Sequence, residues 1–256
     1  MTILEQIAAS ARERAERDKK AGMPFKSAKK RPPFIFEKRM REQDIAFICE
    51  IKKASPSKGI IAEDFPYLNI AREYEAAGAS AISVLTEPEF FQGSDSHLAE
   101  IREAVDVPIL RKDFIIDKFQ IEQSACLGAD AVLLICAILT PAELAGYIEE
   151  SDRFGLSCLV EVHDEDELRT ALDAGARVIG VNNRDLRTFD VDIGNSIRLR
   201  SLVPQNVIFV AESGIRTAED VNDLRKHGVD AVLVGETLMR SADKGAALAA
   251  LTGKGA

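Results

Sequence analysis

The sequence predicts a (β/α)8 barrel, a closed ring of eight parallel strands that alternate with helices. Two observations carry this prediction: short apolar runs recur evenly along the chain, and one phrase of sequence is repeated. The runs have the length of strands and are rich in Val, Ile and Leu, as strands buried on both faces should be. There are eight of them, at 46–51, 80–86, 108–114, 131–138, 157–163, 177–183, 207–214 and 231–238.

The repeated phrase occurs four times, as AGASAISVL, LGADAVLLI, AGARVIGV and HGVDAVLVG. Its copies fall about fifty residues apart, which corresponds to two βα units of about twenty-five residues each. Eight such units fit within 256 residues, a usual length for this barrel. A doubly wound open sheet is the alternative fold, but it would more often carry a GxGxxG motif after its first strand, and this sequence has none there.

Segments with helical spacing separate the apolar runs. Thr140-Pro141 and Thr217 predict helix starts, because Thr caps a helix N-terminus and Pro fits the first turn. Four glycines predict helix ends, because the residue after a helix often adopts a left-handed conformation. These glycines are Gly78, Gly128, Gly175 and Gly228.

Residues 1–45 precede the first strand, and we expect them to form a helical extension and a loop within a single domain spanning 1–256. Thr2 and Glu5 have the spacing of a capping box. The segment 26–33, KSAKKRPP, predicts a loop that is either a solvated connection or a cover adding positive charge near one barrel mouth. One apolar helical face is traced by Ile3, Leu4, Ile7, Ala8, Ala11 and Ala15.

Composition argues against several classes of protein. The 33 basic and 42 acidic residues give a net charge of −9, which disfavours general binding to nucleic acid or anionic membranes. No apolar run approaches the roughly 20 residues that span a bilayer, and the N-terminus lacks a signal-peptide core. The four cysteines show no CxxC spacing, and the three histidines are far apart, so no metal site is predicted. We expect a cytoplasmic protein and favour a monomer, although the residues leave the oligomeric state open.

Polar side chains end several of the predicted strands, where barrel enzymes place their chemistry. A charge inside a barrel is costly unless it is paired or functional. Any one of these residues could be a structural ion-pair partner or a solvated charge at the rim, but their convergence predicts an active site. Residues two apart share a face of a strand. The pairs that do so are Glu50 with Lys52, Lys112 with Phe114, Glu161 with His163, and Asn182 with Arg184.

Two loops predict a phosphate site. Ser213 and Gly214 end the seventh run, and Gly235 lies near the end of the eighth, before Glu236. A glycine lets a backbone N–H approach an anion closely, and a following helix N-terminus supplies further donors. Loops after strands seven and eight form the recurrent phosphate site of this fold. A phosphorylated small molecule is therefore the favoured ligand.

Taken together, the motifs resemble the indole-3-glycerol phosphate synthase family. The resemblance covers essentially the whole chain, and EIKKASPSKG (50–59) is its most specific segment. Thr237 is a mild difference at a position where Ser would be more usual. The other motifs are SVLTE (83–87), FQG (91–93), LRKDF (110–114), LVEVH (159–163), GVNNRDL (180–186), AESGI (211–215) and VGETLM (234–239).

The resemblance implies a lyase of tryptophan biosynthesis that closes the indole ring of 1-(2-carboxyphenylamino)-1-deoxyribulose 5-phosphate, losing CO2 and water without a metal or organic cofactor. It implies that Lys112 is the general acid at the ketone, with Glu50 as a candidate carboxylate partner. Glu161 would serve the later proton transfers, and Asn182 would orient the substrate hydroxyls. Lys52 would hold anionic groups or donate the proton lost with water.

The remaining site residues follow from the same resemblance. The phosphate would be held largely by backbone N–H groups, and Ser213 also counts among the catalytic residues. The phosphate-binding set is Ser213, Gly214, Gly235 and Glu236. The anthranilate carboxylate would be recognised by Ser55, Pro56 and Arg184. The aromatic ring would be walled by Leu85, Phe91, Phe114 and Leu133, which fit a role in the core equally well.

Three alternatives stay open at this point. Phosphoribosylanthranilate isomerase is a related phosphate-binding barrel, but it would not need this dense set of lysines and glutamates. A Schiff-base aldolase would use Lys112 as an imine-forming amine. A non-catalytic phosphate-binding module would tolerate loss of Lys112 or Glu161.

Overall fold

The predicted barrel is present in the computed structural model, which describes residues 2–22, 31–185 and 188–253. Its strands are all parallel, and the last pairs with the first, so the ring closes. Ala46 stands opposite Ala231 at this closure. Within the described residues the eight barrel strands are β1 (Ala46–Ile51), β2 (Ala81–Leu85), β3 (Ile109–Lys112), β4 (Ala131–Ile135), β5 (Ser157–Val162), β6 (Val178–Asn182), β7 (Ile208–Glu212) and β8 (Ala231–Val234).

Helices alternate with the strands, and two further helices precede β1. Those before β1 are α1 (Ile3–Ala21) and α2 (Ile35–Met40). Those after it are α3 (Tyr67–Ala76), α4 (Asp95–Ala104), α5 (Lys118–Leu127), α6 (Pro141–Arg153), α7 (Glu165–Asp173), α8 (Gly194–Arg200), α9 (Ala218–Lys226), α10 (Glu236–Arg240) and α11 (Lys244–Thr252). None of the helices in the described ranges has the length and apolar character that a membrane crossing needs.

The predicted helix boundaries are confirmed. Thr2, Thr140 and Thr217 each cap a helix and take part in a complete capping box. Pro141 occupies the first turn of α6. The four glycines predicted to end helices all have positive φ, between 78° and 89°.

Some predicted strand ends are wrong. The run 131–138 leaves the barrel after Ile135 and continues as a 3-10 turn, Cys136–Ile138. The run 231–238 stops at Val234, and its last residues begin α10, where Leu238 is fully buried. A short apolar run does not by itself distinguish a strand from a buried helix, which explains both errors. A short ribbon, Ala54–Ser55 paired with Gly59–Ile60, and helix α2 were also not foreseen.

The barrel has one core inside the ring and another between the ring and its helices. Alternate strand residues face inward, so Ala46 and Ile48 belong to the inner cluster while Phe47 and Cys49 belong to the outer one. Helix α1 contributes Ile7 and Ala11 to the inner cluster, as the predicted apolar face requires. The inner strand residues are Ala46, Ile48, Ala81, Leu110, Ala131, Leu133, Ile135, Leu159, Val178, Ile208, Val210, Ala231 and Leu233.

The segments before β1 reach opposite ends of the barrel. Arg14 of α1 binds Asp113, which follows β3, so α1 lies at the carboxyl ends of the strands. Glu37 of α2 binds Arg177, which precedes β6, so α2 lies at the amino ends. Residues 26–30 of the predicted basic loop fall outside the described residues, and both interpretations of that segment stay predictions.

Candidate active site

A cavity of about 490 Å³ opens at the carboxyl ends of the barrel strands. Every barrel strand contributes to its lining, and α1 adds Ile3, Leu4 and Ile7. The structure brings all the residues predicted for the site to this one cavity. They are Glu50, Lys52, Ser55, Pro56, Leu85, Phe91, Lys112, Phe114, Leu133, Glu161, Asn182, Arg184, Ser213, Gly214, Gly235 and Glu236.

The alternation of strand residues explains why polar groups meet here. The inward positions of β5 and β7 run Leu159 to Glu161, and Ile208 through Val210 to Glu212. Along each of these strands, the inward residues are therefore apolar except for the last one before the rim, which is ionisable. The same change occurs on β3, from Leu110 to Lys112. The floor of the cavity is a layer of charged side chains on an apolar core.

Lys112 is the centre of this charged layer. Its Nζ lies 3.3 Å from Glu212 Oε2 and 3.7 Å from Glu161 Oε2. Burial acts to lower the pKa of Lys112, but the charges of Glu212, Glu161 and Glu50 raise it above its usual value. Lys112 is therefore held as an ammonium group that can donate a proton into the cavity.

Glu212 is the site residue that the sequence analysis missed. It lies on the inward face of β7, which its position two residues after Val210 would have indicated. Burial raises its pKa to about 7, against the lowering effect of Lys112. Its Oε1 is buried without a hydrogen-bond partner among the described residues. Glu212 can thus exchange a proton near neutral pH.

Glu50 and Lys52 form a second pair at the end of β1. Lys52 Nζ donates a short hydrogen bond to Glu50 Oε1, and both side chains are largely buried. Although burial acts to raise the pKa of Glu50, the charges of Lys52 and Lys112 hold it below its usual value. Glu50 is therefore a carboxylate that supports both lysines.

Two glycines make room for the carboxylates. A Cβ atom at Gly180 of β6 would overlap Glu212 Oε1, and one at Gly235 would overlap Glu50 Oε1. Any larger residue at either position would displace a charged group from the layer. Gly235, predicted as a phosphate ligand, therefore also makes room for the Glu50 carboxylate.

Asn182 links Glu161 to the loop after β7, which is predicted to bind phosphate. Its Nδ2 donates to Glu161 Oε1 at 3.3 Å, and its Oδ1 accepts from Ser213 Oγ at 2.9 Å. The backbone N–H of Arg184 donates to the same Oδ1 at 3.1 Å. These contacts fix the orientation of the amide, so Nδ2 is directed at the carboxylate.

The loops after β7 and β8 are joined at the predicted phosphate site. Thr237 Oγ1 donates to the carbonyl of Ile215 at 2.8 Å. The hydroxyl group of Thr, in place of the more usual Ser, therefore connects the two loops. Ser213 has a φ of 69°, and Gly214 follows with a φ of 85°. The carboxylate of Glu236 pairs with Arg240 at 3.0 Å, which leaves its backbone rather than its side chain suited to an anion.

Apolar and polar groups form the remaining wall. The rings of Phe91 and Phe114 lie 6.1 Å apart between centroids. Glu87 holds the loop that carries Phe91, because its carboxylate accepts from the N–H groups of Glu89, Phe90 and Phe91 at 2.7 to 3.0 Å. Ser55 Oγ is buried with no hydrogen-bond partner in the described chain. An unpaired hydroxyl beside an aromatic wall is suited to a polar group on an aromatic ligand.

A second charged cluster begins with Arg111 on the outer face of β3 and includes Asp113, which also lines the cavity. Arg111 binds Asp113 and Asp95, and Arg14 of α1 donates to Asp113 at 2.5 Å. Thr86 Oγ1 donates to the same aspartate at 2.6 Å. This cluster fastens α1 next to Lys112. Among the described residues, no group of His, Cys, Asp and Glu side chains is arranged to hold a metal ion.

Comparison of the sequence with known proteins identifies the family of this chain. A family model described as indole-3-glycerol phosphate synthase matches residues 2–251. An indole-3-glycerol phosphate synthase from Ruminiclostridium cellulolyticum is 58% identical over 98% of this chain and 99% of its own. Another, from Endomicrobium trichonymphae, is 54% identical over 93% of this chain and 95% of its own.

A solved structure shows the same fold at much lower identity. The 3-hexulose-6-phosphate synthase from Salmonella typhimurium matches with a TM-score of 0.68 and 16% identity, covering 82% of this chain and 98% of that one. The fold is thus shared beyond the family. The chain belongs to the indole-3-glycerol phosphate synthase family.

Proposed function

We propose that this chain converts 1-(2-carboxyphenylamino)-1-deoxyribulose 5-phosphate into indole-3-glycerol phosphate, CO2 and water, as a decarboxylating lyase of tryptophan biosynthesis. The observation that carries the proposal is the Lys112 ammonium group, held within 3.7 Å of two carboxylates at the floor of the cavity. The aromatic wall on one side and the joined loops on another suit the two ends of this substrate.

The first step is formation of the carbon–carbon bond. The ring carbon that bears the carboxylate attacks the ketone carbon, and Lys112 donates its proton to the ketone oxygen, which becomes a hydroxyl group. A donor placed where negative charge develops typically lowers the barrier by several kcal/mol. The raised pKa of Lys112 keeps it protonated until this step.

Decarboxylation and dehydration follow. The carboxylate leaves as CO2, and its bonding electrons restore the aromatic ring. The new hydroxyl group then takes up a second proton and leaves as water, and the adjacent CH2 group loses a proton to Glu161 as the indole double bond forms. Asn182 donates to Glu161 at 3.3 Å, and we assign to it the orientation of the substrate hydroxyls.

Lys52 has one of two roles in this scheme. It either holds an anionic group of the substrate or supplies the proton that leaves with water, and its pairing with Glu50 suits both. Lys52→Met distinguishes them: loss of an anion contact raises KM, whereas loss of a proton donor lowers kcat. We assign the phosphate to the backbone of Ser213, Gly214, Gly235 and Glu236, the anthranilate carboxylate to Ser55, Pro56 and Arg184, and the ring wall to Leu85, Phe91, Phe114 and Leu133.

The Schiff-base alternative is disfavoured by the charge state of Lys112. An imine-forming lysine must be neutral to attack a carbonyl, and its pKa is usually lowered by an apolar pocket or a nearby cation. The three surrounding carboxylates have the opposite effect on Lys112. Borohydride reduction in the presence of substrate should therefore leave the mass of the protein unchanged, and a trapped adduct at Lys112 would contradict the acid role.

The direct test is turnover of the purified protein. With the carboxyphenylamino-deoxyribulose phosphate and no added metal or cofactor, we expect indole fluorescence and CO2 to appear in equal amounts. Binding without turnover would leave the barrel as a phosphate-binding module. A monomer in the cytoplasm and a single domain over 1–256 stay predictions, which sedimentation, cell fractionation and limited proteolysis can test.

A further inference from the structure

His163 lies immediately behind Glu161 and outside the lining of the cavity. It follows β5, and its Nε2 lies 3.5 Å from Glu161 Oε1. Its Nδ1 lies 3.0 Å from Glu167 Oε2 of α7, and the same oxygen accepts from the backbone N–H of His163 at 2.9 Å. Asn195 donates to its backbone carbonyl at 3.0 Å. The imidazole is thus fixed between one carboxylate of the scaffold and one of the site.

The charged groups that act most strongly on His163 are acidic. Glu161 reaches it from its own strand, Glu167 from α7 and Glu212 from β7. Burial acts to lower the pKa of His163, but the hydrogen bond to Glu167 and these charges raise it to about 9. The Cys136 thiol beside Glu167 stays neutral, because burial raises its pKa to about 12. His163 is therefore an imidazolium at neutral pH.

The Nε2 side of the imidazolium lies next to Glu161. His163 Nε2 is buried without a hydrogen-bond partner among the described residues, and it lies 3.5 Å from Glu161 Oε1, at the outer limit of a hydrogen bond. Contacts of this kind often tighten only when substrate is bound. Glu161 thus has one cation for each oxygen, with Lys112 at Oε2 and His163 at Oε1.

The two cations differ in what the proposed reaction does to them. Lys112 gives up its proton when the ketone is attacked, so its positive charge beside Glu161 is lost before Glu161 has to act. His163 does not line the cavity, and its charge persists through that step. A cation within about 4–6 Å favours the ionised form of a carboxyl group. An ionised Glu161 is the form that can accept a proton from the CH2 group.

We infer that His163 is a positioning residue, whose imidazolium, held by Glu167, keeps Glu161 ionised and oriented after Lys112 has donated its proton. This inference rests on the proposed role of Glu161 as the proton acceptor. It makes Glu167 part of the same arrangement, although Glu167 does not line the cavity.

The first test is the pH dependence of kcat in His163→Asn, which removes the charge and keeps a polar side chain. We expect the acidic limb of the kcat profile to move up by about one unit, so that kcat falls about tenfold at pH values below the limb, with KM within about twofold. Glu167→Gln should move the limb in the same direction by a smaller amount. His227→Asn is the matched control, because His227 is exposed at the end of α9, and it should leave both kcat and the profile unchanged.

The outcomes separate this inference from the proposed function. If the wild-type protein does not turn over, the proposed function fails; if it turns over and His163→Asn and Glu167→Gln keep the wild-type pH profile, only the inference fails. A loss of kcat without movement of the acidic limb would indicate a merely structural role and would also overturn it.

A second test does not depend on turnover or on replacing His163. Side-chain NMR of the wild-type protein should show the His163 imidazole titrating well above the ordinary value of about 6.5. In Glu161→Gln the titration should move towards that value, because one of the facing carboxylates is gone. A His163 that titrates near 6.5 in both proteins would overturn the inference.

Discussion

Two buried clusters of charge lie back to back on β3, and they differ in how completely their groups are paired. Lys112 points into the cavity, while its neighbour Arg111 points outward and contacts α4 and α5. Lys112 contacts its two carboxylates at 3.3 and 3.7 Å, and Glu212 Oε1 has no hydrogen-bond partner in the described chain. The first cluster is therefore left with unused hydrogen-bonding capacity.

The outer cluster is saturated. Arg111 donates to Thr86, to the carbonyl of Gln120, and to Ser124, Asp95 and Asp113, at 2.8 to 3.3 Å. Each oxygen of Asp113 accepts two hydrogen bonds, one of them from Arg14 of α1. Buried charges that are fully paired maintain structure, whereas buried charges with free capacity are available to a ligand or a proton. We therefore expect loss of a charge to affect stability in the outer cluster and catalysis in the inner one.

The largest effect should come from breaking the outer cluster with Asp113→Asn. This change leaves Arg14 and Arg111 buried without their shared carboxylate, and breaking such a pair typically costs about 3–5 kcal/mol. We expect the free energy of unfolding in urea to fall by about that amount. Asp166→Asn is the control, because the Asp166 side chain is 90% exposed, and its effect should be within about 0.5 kcal/mol. Equal denaturation midpoints for both variants would contradict the distinction between the clusters.

Breaking the inner cluster should affect catalysis more than stability. In Lys112→Met, Glu212 is expected to take up a proton through the cavity, because its pKa is already raised by burial. We therefore expect a cooperative unfolding transition close to that of the wild type. The same variant should lose at least about 10²-fold in kcat, the contribution of a positioned general acid. Lys118→Met, at an exposed position on α5, should retain full activity, and turnover by Lys112→Met at a similar level would exclude Lys112 as the acid.

Gly180→Ala tests whether the inner cluster depends on its shape. Its Cβ would overlap Glu212 Oε1, so the carboxylate that contacts Lys112 must shift from its position. Displacing a catalytic group by about 1 Å can cost up to 10²-fold, and we expect a loss of roughly tenfold in kcat/KM. Gly146→Ala in α6 is the control, because its Cβ would lie 3.8 Å from Lys118 in ordinary contact. It should leave kcat/KM unchanged and raise stability by about 0.5–1 kcal/mol.

The sequence predicts the fold and most of the candidate site for a common physical reason. A strand alternates between two faces, so a run such as 157–163 reveals both its burial and the inward position of Glu161. Glu212 was accessible to the same reasoning but lay beside the Ser-Gly pair that suggested phosphate. The role of His163 was not accessible, because Glu167 lies on the next helix and only the fold brings it to the imidazole. Helix α2 was missed because its six residues are too short to show a period.

The smallest effect we expect is the pH dependence of stability from the outer cluster, because two of its groups oppose each other. Burial acts to raise the pKa of Asp113, but Arg14 and Arg111 hold it below its usual value. Its contribution to stability is therefore present above the unfolded pKa of about 3.9 and is lost as the pH falls through the lower folded value. Burial raises the pKa of Asp95. The contribution of Asp95 to stability is therefore largest below its unfolded pKa and declines as the pH rises through its folded pKa.

Two variants separate these contributions. In acid, the free energy of unfolding should rise less steeply with pH in Asp113→Asn than in the wild type, because the group that favours folding at higher pH is gone. In Asp95→Asn it should rise more steeply, because the opposing group is gone. Urea unfolding at a series of pH values between about 3 and 5 measures both slopes, in the range where aspartates titrate. If the slope changed in the same direction in both variants, Asp95 and Asp113 would not have opposite effects on stability, contrary to what their hydrogen bonds to Arg111 and Arg14 indicate.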